Sequence, residues 1–370
     1  MPTLRSPLAL FAVLLAISTV VAAPTHAAAP TLPPQGPAGW EKEHSWVEGG
    51  VAAKGATAVL FVHGVGSSSL HFRAPTQTPN VKPFAYDSKA TPTFDSKFGV
   101  ELSPPAPKHS WFEGLGRVYK VASWNQVACL ATSSHGSAAC QEADRFDKAY
   151  QSAPWALRKL LDETTGPIAL VGHSRGGLVI RRLLKEFGDA GGRIKWVVTL
   201  HTPHHGADYA SVLSKVDGEL GRAIRELPKK VRKPLEEMHT ALDDALGAPG
   251  GLELGYKSRV SLFPKLESGE KRVPGIVYQS YGGNSPISVR VYLKAPGAKP
   301  RTVALLSVPT PAELHTGTGD AMVSDASAHF PKSFGSVPHV TQPVNHGEIL
   351  WHQPTIDAVR ALLSTKPVGY

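Results

Sequence analysis

The chain has 370 residues, 42% of them hydrophobic and 19% charged, with a formal net charge of +9. That apolar fraction excludes intrinsic disorder, and two cysteines exclude a disulfide-stapled miniprotein. The length suits a single α/β domain whose core stands without metals or bridges, and 35 glycines with 32 prolines predict many shaped loops.

Residues 1–28 read as a secretory signal peptide. Arg5 gives the positive start, Leu8 to Val21 is almost uninterrupted apolar sequence, and small residues follow at Val21-Ala22-Ala23 and Ala27-Ala28. The apolar run is shorter than the ~20 residues a membrane span needs. The expectation is export, to the periplasm or the medium. Residues 29–39 form a Pro/Ala-rich lead-in, and the folded domain is expected over 40–370.

Ala58-Val59-Leu60-Phe61-Val62 is a continuous run of β-formers, as in a strand buried on both faces of a parallel sheet. It runs into the loop His63-Gly64-Val65-Gly66. A second strand is predicted over Arg117 to Trp124. Cys129 and Cys140 flank a small-residue stretch, LATSSHGSAA, and in an oxidising compartment they are expected to close it as one local disulfide.

A helical pattern covers 141–163. Ile168-Ala169-Leu170-Val171 is another buried strand, followed at once by Gly172-His173-Ser174-Arg175-Gly176 and then by LVIRRLLKEF, a helix stopped by Gly188. Ile194 to Leu200 is the next strand. Strand and helix in alternation predict an α/β fold with a mostly parallel central sheet flanked by helices. Val216, Leu220, Ile224 and Leu227, then Leu235, Met238, Leu242 and Leu246, fall at helical spacing and predict two amphipathic helices inserted after a sheet strand. Strand-like runs return at 275–281, 288–293 and 301–308, and a last helix is expected over 355–363.

GHSRG between a buried strand and an amphipathic helix is the nucleophile-elbow pattern. Small residues flank the serine because the turn is too sharp for side chains there, and the serine is lifted to the positive end of the helix. Ser174 is therefore the candidate nucleophile. Candidate oxyanion donors are the N–H groups of Val65, in the loop after the first buried strand, and of Arg175. The acid and base follow the serine in this fold. Asp320 lies in a Gly-rich loop, TGTGDAMV over 316–323, with Asp325 as an alternative acid. His346 lies in a loop before the final helix. His201, His204 and His205 cluster without an acid or cysteine at a known metal spacing, so no metal and no cofactor is expected.

At FVHGVG, LVGHSRGGLVIRRLL, LHTPHHGA, GDAMV and NHGEIL the chain resembles the α/β-hydrolase lipases and esterases, particularly the bacterial triacylglycerol-lipase-like group. The resemblance covers roughly residues 57 to 363 and is carried by those five islands. It implies that His63 and Gly64 support the oxyanion loop, that Asp320 and His346 are the acid and base, and that Thr202 to Gly206 shape the pocket. It further implies a helical lid over 207–270. The aspartate of the family's calcium site is missing after His346, where the chain reads GEILWHQ, so calcium is not expected.

The activity implied is hydrolysis of carboxylic esters through an acyl-enzyme, with an ester or lipid as partner and the protein acting as a monomer. Acyl transfer, or hydrolysis of an amide, thioester or polyester, is the alternative on the same machinery, and a non-catalytic binding module is a third reading. Lys229, Lys230, Arg232 and Lys233 would allow transient contact with an anionic lipid surface. No nucleic-acid partner is expected, since no binding motif accompanies the positive charge.

Overall fold

The computed structural model describes residues 32–43, 47–49, 57–64, 98–103, 119–122, 145–207, 252–255, 258–285, 287–293, 301–308, 322–350 and 352–365, with the single residues 72, 111, 218, 221, 222, 225, 319 and 320. Residues 1–28, read above as a signal peptide, together with Val65, Cys129, Cys140 and most of the segment expected as a lid, lie outside them.

The strands are β1 (Val47–Gly49), β2 (Ala58–Val62), β3 (Phe98–Ser103), β4 (Tyr119–Ala122), β5 (Ile168–His173), β6 (Ile194–Leu200), β7 (Val277–Gly283), β8 (Ile287–Leu293), β9 (Arg301–Val308) and β10 (His339–Gln342). The helices are α1 (Trp40–Glu43), α2 (Phe146–Glu163), α3 (Arg175–Phe187), α4 (Phe263–Glu267), α5 (Asp325–Ala328) and α6 (Gln353–Ser364).

Seven strands form the main sheet in the order β1-β4-β2-β5-β6-β7-β10. Every pairing from β4 to β10 is parallel, and β1 joins the β4 edge antiparallel. The continuous apolar runs are explained by burial on both faces. Along β2, Ala58, Leu60 and Val62 enter one core while Val59 and Phe61 enter the other. The first core is covered by α2 and α3, the second by α6 with Phe72 and Trp111. The result is a three-layer sandwich, helices over both faces of a parallel sheet.

Strand β6 shows how the alternation is kept. Ile168 pairs Ile194 but Ala169 pairs Trp196, so Lys195 is the extra residue of a bulge. The bulge puts Ile194 and Val197 into the same core and turns Trp196, Val198 and Leu200 to the other.

The connections leave the sheet centre in opposite directions. From β2 the chain moves to the β4 side, and from β5 it moves to the β6 side. The crevice between the carboxyl ends of β2 and β5 is thus a topological switch point, where open α/β sheets place their sites. With its elbow directly after β5, this is the α/β-hydrolase fold.

Two features differ from the expectation. Runs 288–293 and 301–308 do not join the main sheet; as β8 and β9 they pair antiparallel with each other and with β3 in a separate three-stranded sheet. The last part of the segment expected as a lid belongs to the core. Leu254, Phe263 and Leu266 are buried, the Ala207 N–H donates to the Leu254 carbonyl at 3.0 Å, and Glu270 is buried against Arg181. Apolar residues at 254, 263 and 266 gain more from covering α3 than from remaining peripheral, so any cap is confined to residues before 252. At the amino end of the described domain, Trp40 is buried, edge-on to Trp155 with ring centroids 5.9 Å apart.

Candidate active site

Ser174 stands at the elbow with φ 54° and ψ −130°, a conformation that non-glycine residues rarely adopt. The strained turn is held from both sides. The Ser174 N–H donates to the Leu200 carbonyl at 2.9 Å, and the Ser174 carbonyl accepts from Gly177 N–H at 3.1 Å. The glycines around it are obligatory on steric grounds. A Cβ on Gly172 would lie 2.6 Å from the backbone nitrogen of Gly177, one on Gly176 would run into the Val62 carbonyl, and one on Gly177 would run into Thr202. Strand β5, strand β2 and helix α3 therefore approach closely enough to present the serine only because these positions lack side chains.

Gly64 lies beside the serine: a Cβ there would sit 2.6 Å from Ser174 Cβ and 3.1 Å from its Oγ. His63 is fully buried, and its Nδ1 is 2.9 Å from the Gly64 carbonyl oxygen, so the imidazole ties down the start of this loop. Arg175 opens α3 with its side chain buried.

The acid and base meet. His346 Nδ1 is 2.7 Å from Asp320 Oδ2, and the His346 N–H donates to the Asp320 carbonyl at 3.1 Å. Asp320 is 1% exposed. Its other oxygen, Oδ1, accepts the N–H groups of Met322 (2.9 Å) and Val323 (2.6 Å), a small turn closed by the Gly319–Ser324 bridge. Burial alone would raise this carboxyl, but the neighbouring imidazoles of His346 and His201 outweigh it and hold the group well below the usual carboxylate range. An ionised carboxylate at this position favours the His346 proton on Nδ1 and leaves Nε2 as the other ring nitrogen.

Asp325, the alternative acid, faces elsewhere. Its partners are His339 and Thr341, at 3.0 Å each. His204 is fully buried, with Nε2 3.0 Å from Thr199 Oγ1 and its ring against Phe330.

Three residues of this region escape sequence reading. His173, the variable residue of the elbow motif, places Nε2 2.9 Å from the His346 carbonyl oxygen, with the two rings 5.0 Å apart, so the residue before the serine is bonded to the base loop. His201 follows β6 at φ 48° and brings Nδ1 to 2.5 Å from Asp320 Oδ2. Arg181, on α3, is completely buried and ion-paired to Glu270, with a further hydrogen bond to the His204 carbonyl at 2.9 Å. In the sequence His201 stands out only as one of the cluster His201, His204 and His205, with no acid nearby along the chain. Arg181 and Arg182 are adjacent in the sequence, yet Arg181 is fully buried and Arg182 only partly.

No protein-family model and no curated protein matches the chain. Among solved structures it is similar to a lipase of Bacillus licheniformis (15% identity, 86% of this chain and 98% of that one, TM-score 0.41). It is also similar to a hydrolase from Oleispira antarctica (8%, 88% and 96%, TM-score 0.46) and to a thermophilic esterase from Thermogutta terrifontis (12%, 86% and 92%, TM-score 0.38). With superposition this loose, the fold rests on the chain's own strand order and elbow.

Proposed function

We propose that the chain is an exported serine hydrolase acting on carboxylic esters through an acyl-enzyme. The observation that supports the reading is the 2.7 Å contact between buried Asp320 and His346, whose loop bonds to His173, the residue before a serine displayed at a strained elbow. Helix-start N–H groups, a charged acid fixed on one imidazole nitrogen and a forced serine conformation have a joint use in acyl transfer chemistry, and each would be costly without one.

In the proposed cycle His346 Nε2 takes the Ser174 hydroxyl proton as Oγ attacks the ester carbonyl carbon. The oxyanion is received by the N–H groups of Arg175 and Val65, with His63 and Gly64 shaping the loop that carries the latter. The tetrahedral intermediate collapses, the C–O bond to the alcohol breaks, and His346 returns the proton to the departing oxygen. Water then attacks the acyl-serine, giving its proton to His346, and the carboxylic acid leaves as the proton returns to Ser174 Oγ. Asp320 keeps the imidazole oriented and stabilises its charged form without itself being protonated.

The test is a series of p-nitrophenyl esters of increasing acyl length on the purified protein and on Ser174→Ala. The variant should lose at least about 10³-fold in kcat, in line with removal of a triad member. Undiminished turnover in Ser174→Ala would remove the nucleophile, and the acyl length of best kcat/KM divides soluble-ester from lipid preference. Export is checked by the amino-terminal residue of the protein recovered outside the cytoplasm, expected after Ala23 or Ala28.

A further inference from the structure

Asp325, His329 and His339 form a second cluster, at the outer edge of the sheet. Their ligand atoms all lie within 4.8 Å of one another. His339 opens the edge strand β10, Asp325 begins α5, and His329 directly follows α5. His339 Nε2 and Asp325 Oδ1 are 3.0 Å apart. A tetrahedral ion with ligands about 2.1 Å away sets them about 3.4 Å apart, so a shift of a few tenths of an ångström from their hydrogen-bond distance would let this pair share a cation. The imidazole of His329 stacks on that of His339, with centroids 3.7 Å apart and planes 24° from parallel, so the exposed His329 ring must turn out of the stack for its nitrogen to face an ion shared with His339.

Two of the three groups are held by outer partners of the kind that orient metal ligands. Ser280, buried in β7, donates weakly to the Pro338 carbonyl (3.4 Å), and its Oγ is 2.8 Å from His339 Nδ1. That contact orients the ring and aims Nε2 at Asp325. Thr341 Oγ1 donates to the Asp325 carboxylate, 3.0 Å from each oxygen. Space is made by Gly282, where a Cβ would stand 2.9 Å from His339 Nε2 and closer still to Asp325 Oδ1. His329 is exposed, which leaves one side open to entry and to water ligands.

We propose that Asp325, His329 and His339 bind one divalent transition-metal ion of the zinc class. Two imidazoles with one carboxylate suit a borderline ion; calcium and magnesium prefer oxygen-only sets. A carboxylate and two imidazole nitrogens complement a divalent cation. The role is structural, because the ion would clamp α5 to β10. Asp325 lies on the segment leaving Asp320, and His339 on the strand leading to His346, so the clamp braces both loops of the acid–base pair. The site does not depend on the ester-hydrolase reading.

The experiment is a calorimetric titration of the chelator-treated, re-purified protein with zinc sulfate, accompanied by thermal unfolding with and without zinc. Wild type should bind one zinc per chain and unfold several degrees higher with zinc present. His329→Gln, at an exposed position, should weaken binding at least tenfold with folding intact, and Ser280→Ala should weaken it 10- to 100-fold by freeing His339. His346→Ala should bind as wild type does, since the buried trio His201, Asp320 and His346 could otherwise account for zinc uptake. No saturable one-to-one binding in wild type, or unchanged affinity in His329→Gln, would overturn the site. So would loss of binding in His346→Ala alone.

Discussion

His201 Nδ1 lies 2.5 Å from Asp320 Oδ2, the same oxygen that His346 approaches at 2.7 Å. One buried carboxylate oxygen is thus flanked by two imidazoles, whose rings are 5.7 Å apart. Room for the second ring comes from Gly283, where a Cβ would stand 2.8 Å from His201 Nε2. His201 is tethered through its backbone N–H to the Tyr281 carbonyl at 2.8 Å. This ring limits where the carboxylate can move, which makes His201 a positioning residue for the acid.

Replacing it should therefore act on turnover rather than on binding. His201→Phe should lower kcat roughly tenfold, about 1.4 kcal/mol in barrier, with KM within twofold of wild type. Steady-state kinetics on one ester decide it; a rise in KM at constant kcat would mean that His201 serves the substrate instead.

Gly64→Ala probes the switch-point crevice. The new methyl would stand 2.6 Å from Ser174 Cβ, nearer than unstrained carbon atoms approach, so the serine or the loop must move. A displacement of about 1 Å at a reacting centre can cost about 10²-fold. The variant should keep a near-native melting curve while kcat/KM falls by that order, and wild-type activity would show that the loop yields freely.

Arg181 and Glu270 are exposed to 0% and 2%. Removing one partner leaves the other charge buried and alone, so Arg181→Met should destabilise by about 3–5 kcal/mol. The double variant Arg181→Met with Glu270→Leu should recover most of that loss, because an apolar pair of similar volume needs no compensation. Urea unfolding of both proteins measures it. Equal losses in the single and double variants would show that the hydrogen bond from Arg181 to the His204 carbonyl dominates.

Burial, followed by the nearby Arg181 charge, holds the His204 imidazole well below its usual value, so it is neutral in the folded chain. Unfolded, it protonates below about pH 6.5. The unfolded state then binds more protons, and stability is full above that pH and declines as pH falls towards the folded value. His204→Gln should flatten the pH dependence of unfolding between pH 6.5 and 5 by up to about 1.4 kcal/mol per pH unit. An unchanged slope would mean that His204 does not titrate on unfolding.

Much of the sheet was legible because burial on both faces leaves a local signature. Strands β2, β5 and β6 are unbroken apolar runs, and Gly188, which ends α3 at φ +57°, is where the sequence stops the helix. Strand β10 left none: four residues at an edge, with Val340 41% exposed, need no apolar pattern. The three-stranded sheet was hidden for another reason. β8 and β9 read as strands, but their third partner β3 comes from far upstream, and register between distant segments is not written in either one.

For the site, the sequence alone specified what steric exclusion requires locally: a serine between glycines where a strand turns into a helix, and loops carrying Asp320 and His346. It favoured Asp320 with Asp325 as the alternative, but it could not assign His201 to the same carboxylate or bring His329 and His339 to Asp325. Those outcomes depend on where the ends of β6, β7 and β10 fall side by side. Hydrogen bonding and charge act over a few ångströms in space, whereas the residues concerned are separated along the chain, so only the packed sheet decides which of them meet.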